Sequence, residues 1–154
     1  KDLPGEAAIL PALRQNIGET GVYCFPGMKD AGRDAQSMKD FEARHRAGPV
    51  GWLVYQAQGL EPMPTSTFVK GIVLDLLAAL LASLVLAATK VGGYKTRVLL
   101  VTAMGLFAGL VSHASQWTWM SLPAGFALNM IADLVAGWLL AGLAMAAIVR
   151  EKRS

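Results

Sequence analysis

Hydrophobic and polar positions divide the chain near Thr67. Beyond it, apolar residues run almost unbroken through three stretches: Phe68 to Thr89, Val98 to about Trp117, and Pro123 to Val149. A bilayer's hydrocarbon core takes roughly 20 helical residues at about 1.5 Å each, so every stretch is long enough to cross it. Ahead of Thr67 the pattern is shorter and mixed. "GEAAILPALRQNI" has helical spacing and predicts a helix bent or restarted at Pro11, while "GVYCF" alternates as a strand does and stops at Pro26 and Gly27. "DAQSMKDFEARHRA" predicts a second helix with Asp34 as N-cap, and "VGWLVYQA" a second strand. "GLEPMPTS", with Pro62 and Pro64, reads as a stiff, extended linker. The expected fold is therefore a mainly α membrane protein. A small α+β domain and its linker (1–67) precede a domain of three transmembrane helices (68–154).

Charge orients the three spans. Residues 1–67 are nearly balanced in sign, so the net charge of +3 comes from the apolar half. There the basic residues gather in "KVGGYKTR" (Lys90, Lys95, Arg97) and "REKRS" (Arg150, Lys152, Arg153), whereas "ASQWTWMSLP" carries no charge. By the positive-inside rule the first loop and the C-terminus are cytoplasmic, and the N-terminal domain lies outside. Trp117 and Trp119 then suit an outer aromatic belt as interfacial anchors. The opening "KDLPGEAAIL" has neither Met nor an apolar leader, which leads to the expectation of an anchor helix ahead of residue 1, or else of a removed signal peptide.

The outer domain offers little chemistry. Cys24, Met28, Met38, His45 and Met63 are soft or imidazole donors of the kind copper takes, but one Cys and one His supply no spaced ligand pair, and no metal is expected. A single cysteine excludes an internal disulfide. No phosphate-binding loop, nucleophile elbow or dinucleotide fingerprint is present, so no catalytic residue is expected; nor is there a basic patch interleaved with aromatics, which argues against nucleic acid.

The polar residues of the spans carry more. Residues three or four apart share a helix face. Gly71, Asp75, Ala78 and Ala82 form one stripe in the first span, Gly105, Gly109, His113 and Gln116 another in the second, and Gly125, Asn129, Asp133, Gly137 and Ala141 a third. Small residues let helix backbones approach, so Gly71, Gly105, Gly109, Gly125 and Gly137 are expected at helix contacts, with Leu, Val, Ile, Phe and Met facing lipid. By depth, Asp75, His113, Gln116, Asn129 and Asp133 can form one polar cluster in the outer half of the membrane. Its bland reading is hydrogen bonding between helices; its sharper reading is a proton or ion relay through Asp75, His113 and Asp133. Three short helices hardly enclose a pathway unaided, which favours the first. His113, with Gly109 four positions earlier and tryptophans after it, is also loosely similar to the pigment-binding helices of light-harvesting polypeptides. A tetrapyrrole there is a minor reading, because one histidine cannot supply both axial ligands of a haem.

"ETGVYCFPGM", "RAGPVGWLVY" and "GLVSHASQWTWMSLPAGFALNMIADLVAGWLLAG" together resemble a set of small bacterial inner-membrane proteins without an assigned activity. That resemblance spans most of the chain. It implies a further N-terminal anchor helix, a periplasmic outer domain and a bacterial inner-membrane location, and brings no catalytic residues. The expected function is a non-catalytic accessory or scaffold subunit of a larger membrane complex, possible settings being respiratory or photosynthetic; its partners are the lipid bilayer and other membrane subunits. The alternative is a small transporter or proton-coupled membrane protein.

Overall fold

The computed structural model describes residues 2–29, 31–89 and 91–149. The basic residues Lys90, Arg150, Lys152 and Arg153, used above for orientation, lie outside the described residues. The chain forms two compact units, Lys1–Pro62 and Met63–Ser154.

In the first unit, helix α1 (Glu6–Asn16) runs through Pro11 as one element, which corrects the expectation of a restart there. Proline removes one backbone donor, and in a solvent-facing helix water can satisfy the carbonyl it leaves unpaired. Strand β1 (Gly21–Phe25) pairs antiparallel with β2 (Gly51–Tyr55), with Val22 opposite Val54 and Cys24 opposite Trp52. Between them, helix α2 (Ala35–Ala47) begins at Asp34 with a reciprocal cap. The Ser37 amide donates to Asp34 Oδ1 at 2.7 Å, and the Asp34 amide donates to Ser37 Oγ at 3.2 Å. The Ser37 amide bond, first among the causes, holds the Asp34 carboxyl below its usual range. No described residue of this unit is buried; Leu10, Leu13, Tyr23, Phe41, Leu53 and Tyr55 are only half-buried. So few elements cannot enclose a core of ordinary size.

The second unit holds three helices long and apolar enough to cross a membrane. Helix α3 (Thr65–Ala88) starts directly after Pro64. The second, Tyr94–Met120, comprises α4 (Tyr94–Gly109), a π-helical turn (Leu110–Ala114) and α5 (Ser115–Met120), and helix α6 (Ala124–Ile148) starts after Pro123. Both prolines hold extended backbone and offer their carbonyls to the first turn, accepting from Thr67 and Phe126 amides at 2.9 Å. The first two helices begin before the apolar stretches do, because a helix continues through the polar residues at its ends, where hydropathy no longer marks it.

α4 and α6 form the main antiparallel pair. Gly105 lies against Trp138, Gly109 against Ile131 and Gly142 against Val101, so that backbone meets side chain where a β-carbon would not fit freely. α3 joins this pair only near its end, through Ala82 and Leu86, which are buried with Val98, Val101 and Ala146. The same end holds Arg97, 7% exposed. Its guanidinium donates to the Val149 carbonyl, and the Tyr94 hydroxyl donates to the Leu143 carbonyl at 3.0 Å. A cation at the last carbonyls of α6 opposes the negative end of the helix dipole.

Three of the five glycines expected at helix contacts are not there. A β-carbon on Gly71, Gly125 or Gly137 would meet nothing within 4 Å, whereas Gly105 and Gly109 do pack and the unforeseen Gly142 packs with them. The reason is rotational. α6 turns the meridian of Ala127, Ile131, Trp138, Gly142 and Ala146 toward α4, and Gly137, one residue from Trp138, lies about 100° away on the helix surface.

Candidate functional site

On α3 the residues Ile72, Asp75, Ala79, Ala82 and Leu86 follow one another at intervals of three and four and so share a face. At Ala82 and Leu86 this face is buried. Toward Asp75 it is exposed, and a cleft opens there between α3 and α6. The cleft has a volume of about 540 Å³ and is lined by Ile72, Asp75 and Ala79 on one wall, and Asp133, Gly137 and Ala141 on the other. Asp75 is ten residues into α3 and Asp133 nine into α6, about 15 and 14 Å along their helices, and both line the cleft. Small side chains at Ala79, Gly137 and Ala141 keep the space between them clear. The remaining wall is apolar.

Among the described residues neither Asp75 nor Asp133 has a hydrogen bond or an ion pair. This differs from the reading of the cluster as hydrogen bonding between helices. The links between helices come instead from Tyr94 and Arg97, at the far end of the unit.

Only part of the expected polar cluster lines the cleft. Asp75 and Asp133 share the cleft; His113, Gln116 and Asn129 are not among its lining residues. The π-turn explains part of this. Spacing of three and four places Gly105, Gly109, His113 and Gln116 on one face only while the helix keeps 3.6 residues per turn. A π-turn closes its bonds over five residues and slips the register by about one residue, roughly 100°. Gly105 and Gly109, before the turn, are buried; His113, within it, is half-buried; Gln116, after it, is exposed. Asn129 is exposed too. Trp117 and Trp119 stand exposed in α5, at the end of the second long helix.

Two residues that matter here escaped the sequence reading. Trp138 fills the groove over Gly105, and Arg97 was counted only as a loop charge. The signal for the first was present, a glycine and a tryptophan near the middles of their helices; none marked Arg97 as buried. Among the described residues no three of His, Cys, Asp and Glu come together as a metal site would require. What the cleft offers chemically is two acceptors, or two negative charges, in an apolar wall. Comparison with protein-family profiles, curated proteins and solved structures finds no match to this chain.

Proposed function

We propose that this chain is a non-catalytic accessory subunit of a larger complex in a bacterial inner membrane, respiratory and photosynthetic assemblies being candidates, and that the α3/α6 cleft receives a transmembrane helix of its partner. In this reading the N-terminal domain is periplasmic and the C-terminus cytoplasmic, as the distribution of basic residues supports. One observation carries the docking: Asp75 and Asp133 line a single open cleft and have no partner within the described chain. A charged Asp at the centre of a span costs about 3 kcal/mol on insertion scales, and two facing acids add their repulsion. A partner helix bearing Lys, Arg or an amide donor at that height would relieve both, while its apolar residues pack on Ile72, Leu134 and Ala141.

A photo-crosslinking residue at Gly137, inside the cleft, tests this against one at Phe107, exposed on α4. In native membranes Gly137 should give a discrete adduct with another membrane protein that Phe107 does not give, and the double change Asp75→Leu, Asp133→Leu should abolish it. An adduct indifferent to that double change rejects docking through the carboxylates. The transporter reading predicts something else: the isolated chain in vesicles takes up substrate with a pH dependence that Asp75→Asn or Asp133→Asn removes. That outcome would replace the accessory role.

A further inference from the structure

The two-stranded sheet has a face that nothing in its own unit covers. The register places Val22 opposite Val54 and Cys24 opposite Trp52, and side chains of directly paired residues point the same way, so these four share one face. All four are exposed: Val22 to 62%, Trp52 to 48% and Val54 to 74%, with Cys24 beside them. The opposite face, with Tyr23, Leu53 and Tyr55, is half-buried. The sheet is therefore apolar on its outer side too, and none of the four strand residues on that face is charged.

We infer that this face lies in the headgroup region of the bilayer, with Trp52 and the two valines inserted among the lipids. The size of the patch argues for lipid over a second copy of the chain. Scaled by their exposures, its side chains present roughly 350 Å² of apolar surface, whereas each partner of a stable protein pair contributes about 800 Å². An isolated patch of that size is too small to hold two chains together, but a bilayer interface accepts small apolar insertions and favours tryptophan. Reach argues the same way. The residues from Gln56 to Pro64 span at most about 32 Å before the first long helix begins, so the patch is tethered close to any membrane that helix enters. The inference rests on the three helices spanning a bilayer, though not on the cleft having a partner.

Cys24 is the chain's one cysteine and lies on the face in question, so a spin label attached to the full-length protein in lipid nanodiscs reports on it directly. Collisions with dissolved oxygen, which concentrates in lipid, are compared with collisions with a water-soluble nickel chelate. Two controls in a Cys24→Ser background bracket the result: Leu140→Cys on α6, and Lys39→Cys on α2. The oxygen-to-nickel ratio at Cys24 should be severalfold above that at Lys39→Cys and should fall to it on Val54→Asp, a change at an exposed side chain that leaves the sheet's other face alone. It should not depend on whether the lipids are zwitterionic or anionic, because the face is uncharged. A ratio at Cys24 equal to that at Lys39→Cys, indifference to Val54→Asp, or binding seen only with anionic lipid overturns the inference. So does dipolar broadening between labels on two chains, which would show a second copy on the face. If Leu140→Cys is itself accessible to nickel, the failure lies with the membrane-spanning reading.

Discussion

Gly105 is where the helix pair is most sensitive to a single methyl group. A β-carbon there would stand 2.4 Å from Trp138 Cβ, 2.5 Å from its Cγ and 2.9 Å from its Cδ1. Carbon atoms rest at about 3.5–4.0 Å, so Gly105→Ala must open the contact by about 1 Å, and a radial gap of that size forfeits up to half of each neighbouring dispersion contact. Trp138 cannot swing clear, because the nearest atom is its β-carbon, fixed to the backbone of α6. Overpacking of this kind costs about 1–3 kcal/mol, and alanine's better helix propensity returns at most about 1. Gly105→Ala should therefore lower stability by up to about 2 kcal/mol, while Gly137→Ala, with nothing within 4 Å of its new carbon, should be neutral or stabilising by up to about 1 kcal/mol. Unfolding of the purified chain by SDS titration in mild detergent, followed by circular dichroism, reads both. Trp138→Ala keeps the offending β-carbon and should rescue Gly105→Ala only in part. Equal stability of the two alanine variants would refute the packing described for α4 and α6.

Arg97→Met removes the donor to the Val149 carbonyl but also a buried charge whose Nε has no partner, so global stability should change by less than about 1 kcal/mol. Its mark should be local: faster amide hydrogen exchange at Ile148 and Val149, and unchanged exchange there would sink the tie. Asp34 has a lowered carboxyl pKa, so its stabilising effect is complete above the unfolded value of about 3.9 and is lost as pH falls through the lower folded value. NMR of the Ser37 amide should follow that loss, and Asp34→Asn should keep the cap without the pH response. In a Cys24→Ser background, Gly92→Cys should resist an impermeant thiol reagent added from outside while Ser121→Cys reacts; the reverse pattern overturns the orientation. Gly51→Val would put a β-carbon 2.7 Å from the Phe25 ring, so it should displace that ring and broaden the resonances of the two strands, whereas a sharp native spectrum would show that the ring does not rest there.

The three long helices, the two strands and the start of α2 were legible because each depends on local pattern alone: unbroken apolar runs, an alternating strand, an Asp at an N-cap; the pairing of β1 with β2 across α2 is not local and was not. What a sequence does not carry is rotation. Gly105 and Gly137 sit in similar surroundings along the chain, yet one faces Trp138 and the other the cleft, because the meridian that α6 offers to α4 is chosen by the fit of Ala127, Gly142 and Ala146 as a set. The π-turn compounds this, since a stripe counted at regular spacing from Gly105 to Gln116 crosses a slip that no residue type announces. Asp75 and Asp133 reach one cleft partly for the opposite reason: both lie in uninterrupted helices, about the same number of residues from proline starts, so no slip of register separates them.

α3 is fastened to the other two helices at Ala82 and Leu86 and stands open near Asp75. A bundle closed along its whole length would have to be taken apart to admit another span. If the cleft receives a partner helix as proposed, the order of biogenesis is relaxed: the chain can be translated, inserted and folded alone, and a partner made later can slide in sideways through the lipid with no helix withdrawn. In that reading the two aspartates stay exposed until the partner arrives, which would give membrane quality control a simple way to tell an orphan subunit from an assembled one.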